Sequence, residues 1–213
     1  MPKSDGREYR NMPVMAVQRA EEDGAAEGAK GFRVRGYAST FEEPYQLMED
    51  WDGNAIYEVV DPHAFDSADM SDVIMQFDHS GMVFARTRNG SLTIGTDDHG
   101  LWIEADLSLT TDSRKLYESI ETGLVDRMSF CFTIEEESYN KENRTWRVMK
   151  IGKVYDVSAV SIPANPGTDI SAARKRILDG VIEEERTERS AAEARQKKIR
   201  MLMVRAKLAG AMG

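Results

Sequence analysis

The chain of 213 residues has one cysteine, three histidines and no long apolar run. A single thiol, Cys131, excludes an internal disulfide and leaves no cysteine cluster for zinc, so the fold must rest on packing. No segment approaches the roughly 18 to 20 apolar residues needed to cross a bilayer, and the opening MPKSDGREYR lacks the apolar stretch of a secretory signal. These absences predict a soluble, intracellular protein with no membrane partner. With His63, His79 and His99 as the only imidazoles, chemistry that needs such a base has few places to find one.

Positive charge is also scarce, and it is unevenly placed. Residues 1–170 hold 17 Lys and Arg against 31 Asp and Glu, a net of −14, whereas residues 171–213 hold 11 against 6, a net of +5. An acidic body argues against a nucleic-acid groove there, because neutralising phosphates needs clustered Lys and Arg. The basic tail is either a surface for something acidic or a solvated charged helix.

What is present is mostly strand. The length suits one domain of ordinary size with extensions. A strand near Asn11 to Gln18 runs into an Ala/Gly/Glu-rich loop, and GFRVRGYASTF supplies a second strand. AIYEVV is a β-branched and aromatic run closed by Asp61-Pro62. VIMQF, MVFART, SLTIGT and LWIEADLSL follow as short strands, the last with Leu101, Ile103, Ala105 and Leu107 on one face. Asn89-Gly90 and His99-Gly100 mark turns between them. TDSRKLYESIETG reads as a helix with Thr111 or Asp112 as N-cap, Leu116, Ile120 and Leu124 spaced by four, and Gly123 as its stop. Strands return in RMSFCFTIEEESY, RTWRVMKI and VYDVSAVSI, the last punctuated by PANPG. Beyond Ser171 the Ala/Glu/Arg/Lys/Leu composition predicts helix with a break near Asp179-Gly180. The pattern predicts a mainly β body of α+β type, closed into a barrel, with one or more covering helices and a helical tail.

Three residues stand out chemically. Alternation along DRMSFCFT puts Met128, Phe130 and Phe132 on an apolar face and Ser129, Cys131 and Thr133 on the other, so Ser129 is a hydroxyl on an anchored strand aimed away from the core. Its bland alternative is a serine satisfied by backbone or water, and no Gly-x-Ser-x-Gly elbow supports a nucleophile. His79 closes the apolar run Val73 to Phe77 and is either a base or a packed residue. Asp156 lies inside VYDVSAVSI, where a carboxylate is costly unless hydrogen-bonded or paired; the choices are a bulge, a salt bridge to a residue such as Arg127, or the orientation of an imidazole. A nucleophile, a base and an orienting acid are the parts of acyl transfer, imidazole with its ordinary pKa of about 6.5 being suited to take a serine proton near neutrality.

The ordered set GYASTF, VDPHAF, IMQFDHS with Arg86 following, HGLWIEADLS, IETGLVDRMSFCF and VYDVSAVSIPANPGTDI, over about residues 32 to 171, resembles the prohead proteases of tailed bacteriophages. These are serine peptidases that mature capsid shells. That family in turn looks related in fold to the herpesvirus capsid-maturation protease, a β-barrel surrounded by helices. The resemblance implies Ser129 as nucleophile, His79 as general base and acid, and Asp156, where many members carry Glu, as the group that holds His79. It leaves the oxyanion hole to backbone donors such as the Phe130 N–H, and it implies no metal and no cofactor. Members often have glycine where this chain has His63 and Cys131; Cys131 is read as packing and His99 as a turn residue. The implied organisation is a lead over residues 1–31, a protease domain over 32–170 and a basic tail over 171–213 that is a targeting, self-cleaved or oligomerisation segment. The implied substrates are the major capsid protein, the scaffold segment and the chain itself, cleaved by a homo-oligomer inside the procapsid in the host cytoplasm. Two other readings stay open: an inactive capsid-assembly scaffold or chaperone of the same fold, and a ligand-binding barrel in which the three residues coincide by chance.

Overall fold

In the computed structural model, residues 6–12, 18–19, 31–161 and 172–210 are described. The chain divides into two compact units, residues 1–171 and 172–213.

The first unit is built on one long hairpin. Strands β10 (Arg127–Asn140) and β11 (Thr145–Val160) pair antiparallel from Arg127↔Val160 to Asn140↔Thr145, with four register shifts between Cys131 and Glu137. RTWRVMKI and VYDVSAVSI, read from sequence as two strands, are therefore one. Strand β1 (Arg7–Met12) adds to the free edge of β10. Strand β11 is long enough to take two parallel partners: β5 (Ala55–Val60) beside Thr145–Val148 and β6 (Ile74–Phe77) beside Asp156–Ala159. β4 (Tyr45–Glu49) pairs with β5, and β7 (Ser80–Arg86) with β6, which completes seven strands. A second sheet runs in the order β2 (Gln18–Arg19), β3 (Arg33–Thr40), β9 (Gly100–Asp106), β8 (Leu92–Thr96).

Residues predicted to face inward do so. Leu101, Ile103, Ala105 and Leu107 from the second sheet share one buried cluster with Met128, Phe130 and Phe132 from the first. Phe130 and Phe132 stack with centroids 4.3 Å apart. Helix α1 (Thr111–Glu121) adds Leu116, Tyr117 and Ile120 to the cluster. Its N-cap is Thr110, whose hydroxyl accepts from the Ser113 N–H at 3.0 Å, one residue before the expected position. Gly123, at φ 74°, turns the chain out of the helix, so Leu124 is 76 % exposed rather than part of the apolar stripe.

The expected barrel does not form. Among the described residues, one sheet runs between edges at β1 and β4, and the other between β2 and β8, with no ladder joining them. The first sheet grows by branching from β11, with two partners on one edge, and this takes the place of closure. The strand expected near Asn11 to Gln18 appears as β1 and the two-residue β2, with residues 13–17 outside the described ones; PANPG lies outside them too.

The second unit is helix α2 (Ala172–Gly210), 39 residues without interruption. The break expected at Asp179-Gly180 is absent. A helical glycine costs about 1 kcal/mol relative to alanine, and the strong helix formers on both sides outweigh that. No helix among the described residues is long and apolar enough to cross a membrane.

Candidate active site

The site is assembled across the first sheet. In an antiparallel ladder, residues directly opposite each other project from the same face. The pairings Tyr9↔Cys131 and Cys131↔Asp156 therefore make one row, and Ser129↔Ser158 belongs to the next. β6 lies on the far side of β11, in register Asp156↔Ile74 to Ala159↔Phe77, so the turn after Phe77 emerges beside this face.

That turn answers why a strand should end on Asp-His-Ser. Phe77 pairs with Ser80, leaving Asp78 and His79 as a two-residue hairpin loop with φ of 47° and 52°. Left-handed conformation at both positions is the signature of a type I′ turn, which matches the twist of the flanking strands. Asp and His tolerate it better than most residues. The Asp78 carboxylate fixes the loop further, accepting from the Ser161 N–H at 3.0 Å and the Ser161 hydroxyl at 2.9 Å.

The three residues singled out in the sequence come together here. His79 Nδ1 lies 2.5 Å from Asp156 Oδ1, and His79 Nε2 lies 2.5 Å from Ser129 Oγ. A carboxylate can only accept, so Nδ1 carries the proton and Nε2 is left as the acceptor for the serine hydroxyl. Asp156 also accepts from the Ser158 hydroxyl at 2.8 Å, which fixes its orientation. The rings of Tyr9 and His79 meet in a T-shaped arrangement with centroids 4.8 Å apart. Burial, a hydrogen bond with Cys131 and the nearby Asp156 raise the Tyr9 pKa well above the ordinary phenol value, so it stays a neutral wall of the site. Ser129 and Asp156 are buried and His79 is nearly so. The Arg10 carbonyl oxygen lies 2.9 Å from the Ser129 hydroxyl, a second acceptor for its single proton.

Other candidates fall elsewhere. Arg127 pairs with Asp126 at 3.7 Å, not with Asp156. His63 contacts Asp66 on the surface, and His99 packs against Tyr37; neither appears in the bonds around Ser129. Cys131 is buried one row from Ser129 and is bonded to Tyr9. Phe130 is flanked by Arg10 on β1 and Val157 on β11, so its single N–H points at a neighbouring strand whichever edge it faces. Among the described residues, no group of three or more His, Cys, Asp or Glu could hold a metal. An open groove of about 480 Å³ lies beside the His79 turn, between β6–β7 and α1, lined by Phe77, Met82, Phe84, Leu116 and Val125.

Sequence reasoning missed a second buried cluster on the opposite face of β1. Arg10 Nε donates to Glu58 Oε1 at 2.5 Å, its Nη2 to Glu58 Oε2 at 3.2 Å, and both terminal nitrogens to Glu8 Oε2 at 3.2 Å. The Tyr45 hydroxyl donates to Glu58 as well. Burial opposes the Arg10 charge, but Glu58, Tyr45 and Glu8 outweigh it and its pKa is raised. Burial likewise lifts Glu58 against the pull of Arg10. Glu137 is pushed to about 7 by burial and by Glu58.

No match was found among curated proteins or solved structures. Residues 16–180 do match the family model described as caudovirus prohead serine protease, a span that contains Ser129, His79 and Asp156, and the chain belongs to that family.

Proposed function

We propose that the protein is a serine endopeptidase in which Ser129, His79 and Asp156 act as nucleophile, base and orienting acid. The observation that carries this reading is the unbroken hydrogen-bond chain from Asp156 through His79 to Ser129. The Ser129 hydroxyl oxygen adds to a peptide carbonyl carbon while its proton passes to His79 Nε2. The C–N bond then breaks, and His79 returns the proton to the leaving amine, which gives an acyl-enzyme and a free amino terminus. Water repeats the sequence, losing one proton to His79 as it attacks the ester, and Ser129 is regenerated on release of the carboxylate product. Asp156 keeps the imidazole in the tautomer that can accept, and Ser158 steadies Asp156. Backbone N–H groups near Ser129 stabilise the oxyanion at about 3 kcal/mol per donor; that of Phe130, flanked by β1 and β11, serves only where the strand it faces has moved away.

Family membership supports capsid proteins as the substrate class. In this reading the substrates are the major capsid protein, its scaffold segment and the chain itself, cut within a procapsid by an oligomer. The second reading, an inactive assembly scaffold, is favoured by one observation: Ser129 has no accessible surface. Intact masses over time separate the two. The full chain and its Ser129→Ala variant are incubated alone and with the cognate capsid protein. Fragments from the wild type only are the expected result; intact masses in both, with capsid protein present and assembling, would favour the scaffold.

A further inference from the structure

A peptidase whose nucleophile is fully buried needs an opening, and the strand lying across Ser129 is β1. β1 is an edge strand, paired among the described residues only with β10, in the register Asn11↔Ser129. Two acceptors compete for the single Ser129 proton: His79 Nε2 at 2.5 Å and the Arg10 carbonyl at 2.9 Å. A hydroxyl that donates to a carbonyl approaches the oxygen near the carbonyl plane, whereas attack requires the carbon from above that plane. Arg10 thus presents its peptide to the nucleophile in an arrangement that is held and not cleaved. Tyr9, the preceding residue, closes against the imidazole.

The side chain belonging to that same carbonyl is equally well defined. Arg10 fills a socket made by Glu58 and Tyr45, with its guanidinium spanning both Glu58 oxygens.

We propose that the β10 edge is the peptide-binding site of Ser129, that β1 is its built-in occupant, and that a substrate replaces it as an extended strand carrying arginine or lysine where Arg10 lies. This rests on the serine-peptidase reading above. Strand exchange on a sheet edge replaces one set of ladder hydrogen bonds by an equivalent set, so the backbone contributes little to the preference. The difference lies in the socket. When Arg10 leaves, Glu58 keeps the Tyr45 hydroxyl but loses the cation that donates to both its oxygens, and a buried carboxylate that has lost its countercharge is strongly unfavourable. A cationic side chain restores the pairing; a neutral one does not. The residue that fills the socket is also the one whose carbonyl faces Ser129, which places the cut after Arg or Lys.

The test uses the full chain and two peptidyl phosphonates that differ only in carrying an arginine or a leucine side chain at the phosphonate, with labelling of Ser129 read by intact mass. Wild type should react slowly with both. Arg10→Ala should react about tenfold faster with the arginine probe, since labelling follows the fraction of chains with the edge open. In that variant the arginine probe should outpace the leucine probe, and adding Glu58→Gln should remove the difference. Tyr9→Gly loosens β1 without touching the ion cluster and should give the same acceleration if Arg10→Ala fails to fold by circular dichroism. Folded variants labelled no faster than wild type, or an Arg10→Ala variant that treats the two probes alike, would overturn the proposal. A small fluorophosphonate separates the two levels of failure: labelling of Ser129 equally in all chains sinks this inference alone, whereas labelling in none of the folded variants sinks the peptidase reading with it.

Discussion

Replacing Asp78 isolates what it takes to hold His79 in place. Asp78 and His79 both sit at positive φ, 47° and 52°. For an L-residue without local compensation that conformation costs roughly 1–2 kcal/mol, and a short polar side chain offsets part of it. The Asp78 carboxylate also accepts two hydrogen bonds from Ser161. Because Asp78 is exposed, each contributes only about 0.5 kcal/mol, the lower end of the usual range. Asp78→Ala loses both contributions and should reduce stability by about 2 kcal/mol. Asp78→Gly regains the conformational part and loses only the bonds, so it should fall within about 1 kcal/mol of wild type. Asp78→Asn keeps an acceptor and the tolerance of positive φ, and should be close to neutral. Urea unfolding gives the stabilities, and phosphonate labelling of Ser129, in the Arg10→Ala background that opens β1, reports whether His79 is still in register. The expected order is Asn, then Gly, then Ala. If Ala and Gly are equally destabilised, the positive φ contributes nothing; if Ala matches Asn, neither contribution is real.

Ser158→Ala should leave Asp156 free to turn, lowering kcat by about tenfold with KM unchanged; a matching rise in KM would make Ser158 a packing residue instead. Glu137 makes a pH-dependent contribution of opposite sign to that of a salt-bridged acid. Its pKa is raised from 4.5 to about 7, so between those values the folded chain holds a proton that the unfolded chain has lost, and stability falls as pH rises through that window. Glu137→Gln should therefore add about 1 kcal/mol above pH 7, after allowance for its partial exposure, and nothing below pH 4.5; denaturant midpoints that show the same gain at both ends would refute it. Gly100→Ala should cost about 3 kcal/mol, because the new Cβ overlaps the Ser39 carbonyl oxygen across the β3–β9 ladder, where backbone cannot step aside. A near-neutral thermal shift for this variant would show that β3 and β9 part at Gly100 without cost.

Strands with one buried face were legible from alternation alone, as Leu101, Ile103, Ala105 and Leu107 show. Ladder partners were not, because alternation says which face is buried and nothing about which edge is shared. The barrel expectation failed on that point: nothing in VIMQF or AIYEVV signals that both run parallel to the same strand. The N-cap was misplaced by one residue because Thr110, Thr111 and Asp112 are all capping residue types. Within the site, Asp156 announced itself as a carboxylate inside an apolar strand. Glu58 in AIYEVV carries the same signal and was passed over, since its partner Arg10 lies 48 residues away in a segment that reads as a polar lead. Ser158 offered no signal at all, because a serine in a strand is ordinary until its hydroxyl is seen on a carboxylate.

The bulges in the long hairpin have a geometric consequence for the site. Glu58 pairs with Trp146 near one end of β11, while Ser129 pairs with Ser158 near the other, twelve residues along. A straight strand of that length spans about 40 Å. Yet one residue, Arg10, touches both: its carbonyl oxygen lies 2.9 Å from the Ser129 hydroxyl and its guanidinium grips Glu58. A side chain reaches only a fraction of that distance, so the hairpin must curl until its two ends approach the same strand. The four register shifts of β10 against β11, all between Cys131 and Glu137, lie between those ends. Each bulge bends the strand and increases its twist. The separation between Ser129 and Glu58 is therefore set by the number and spacing of the bulges between them, and a change in hairpin register there would move Glu58 relative to Ser129 with both residues unaltered.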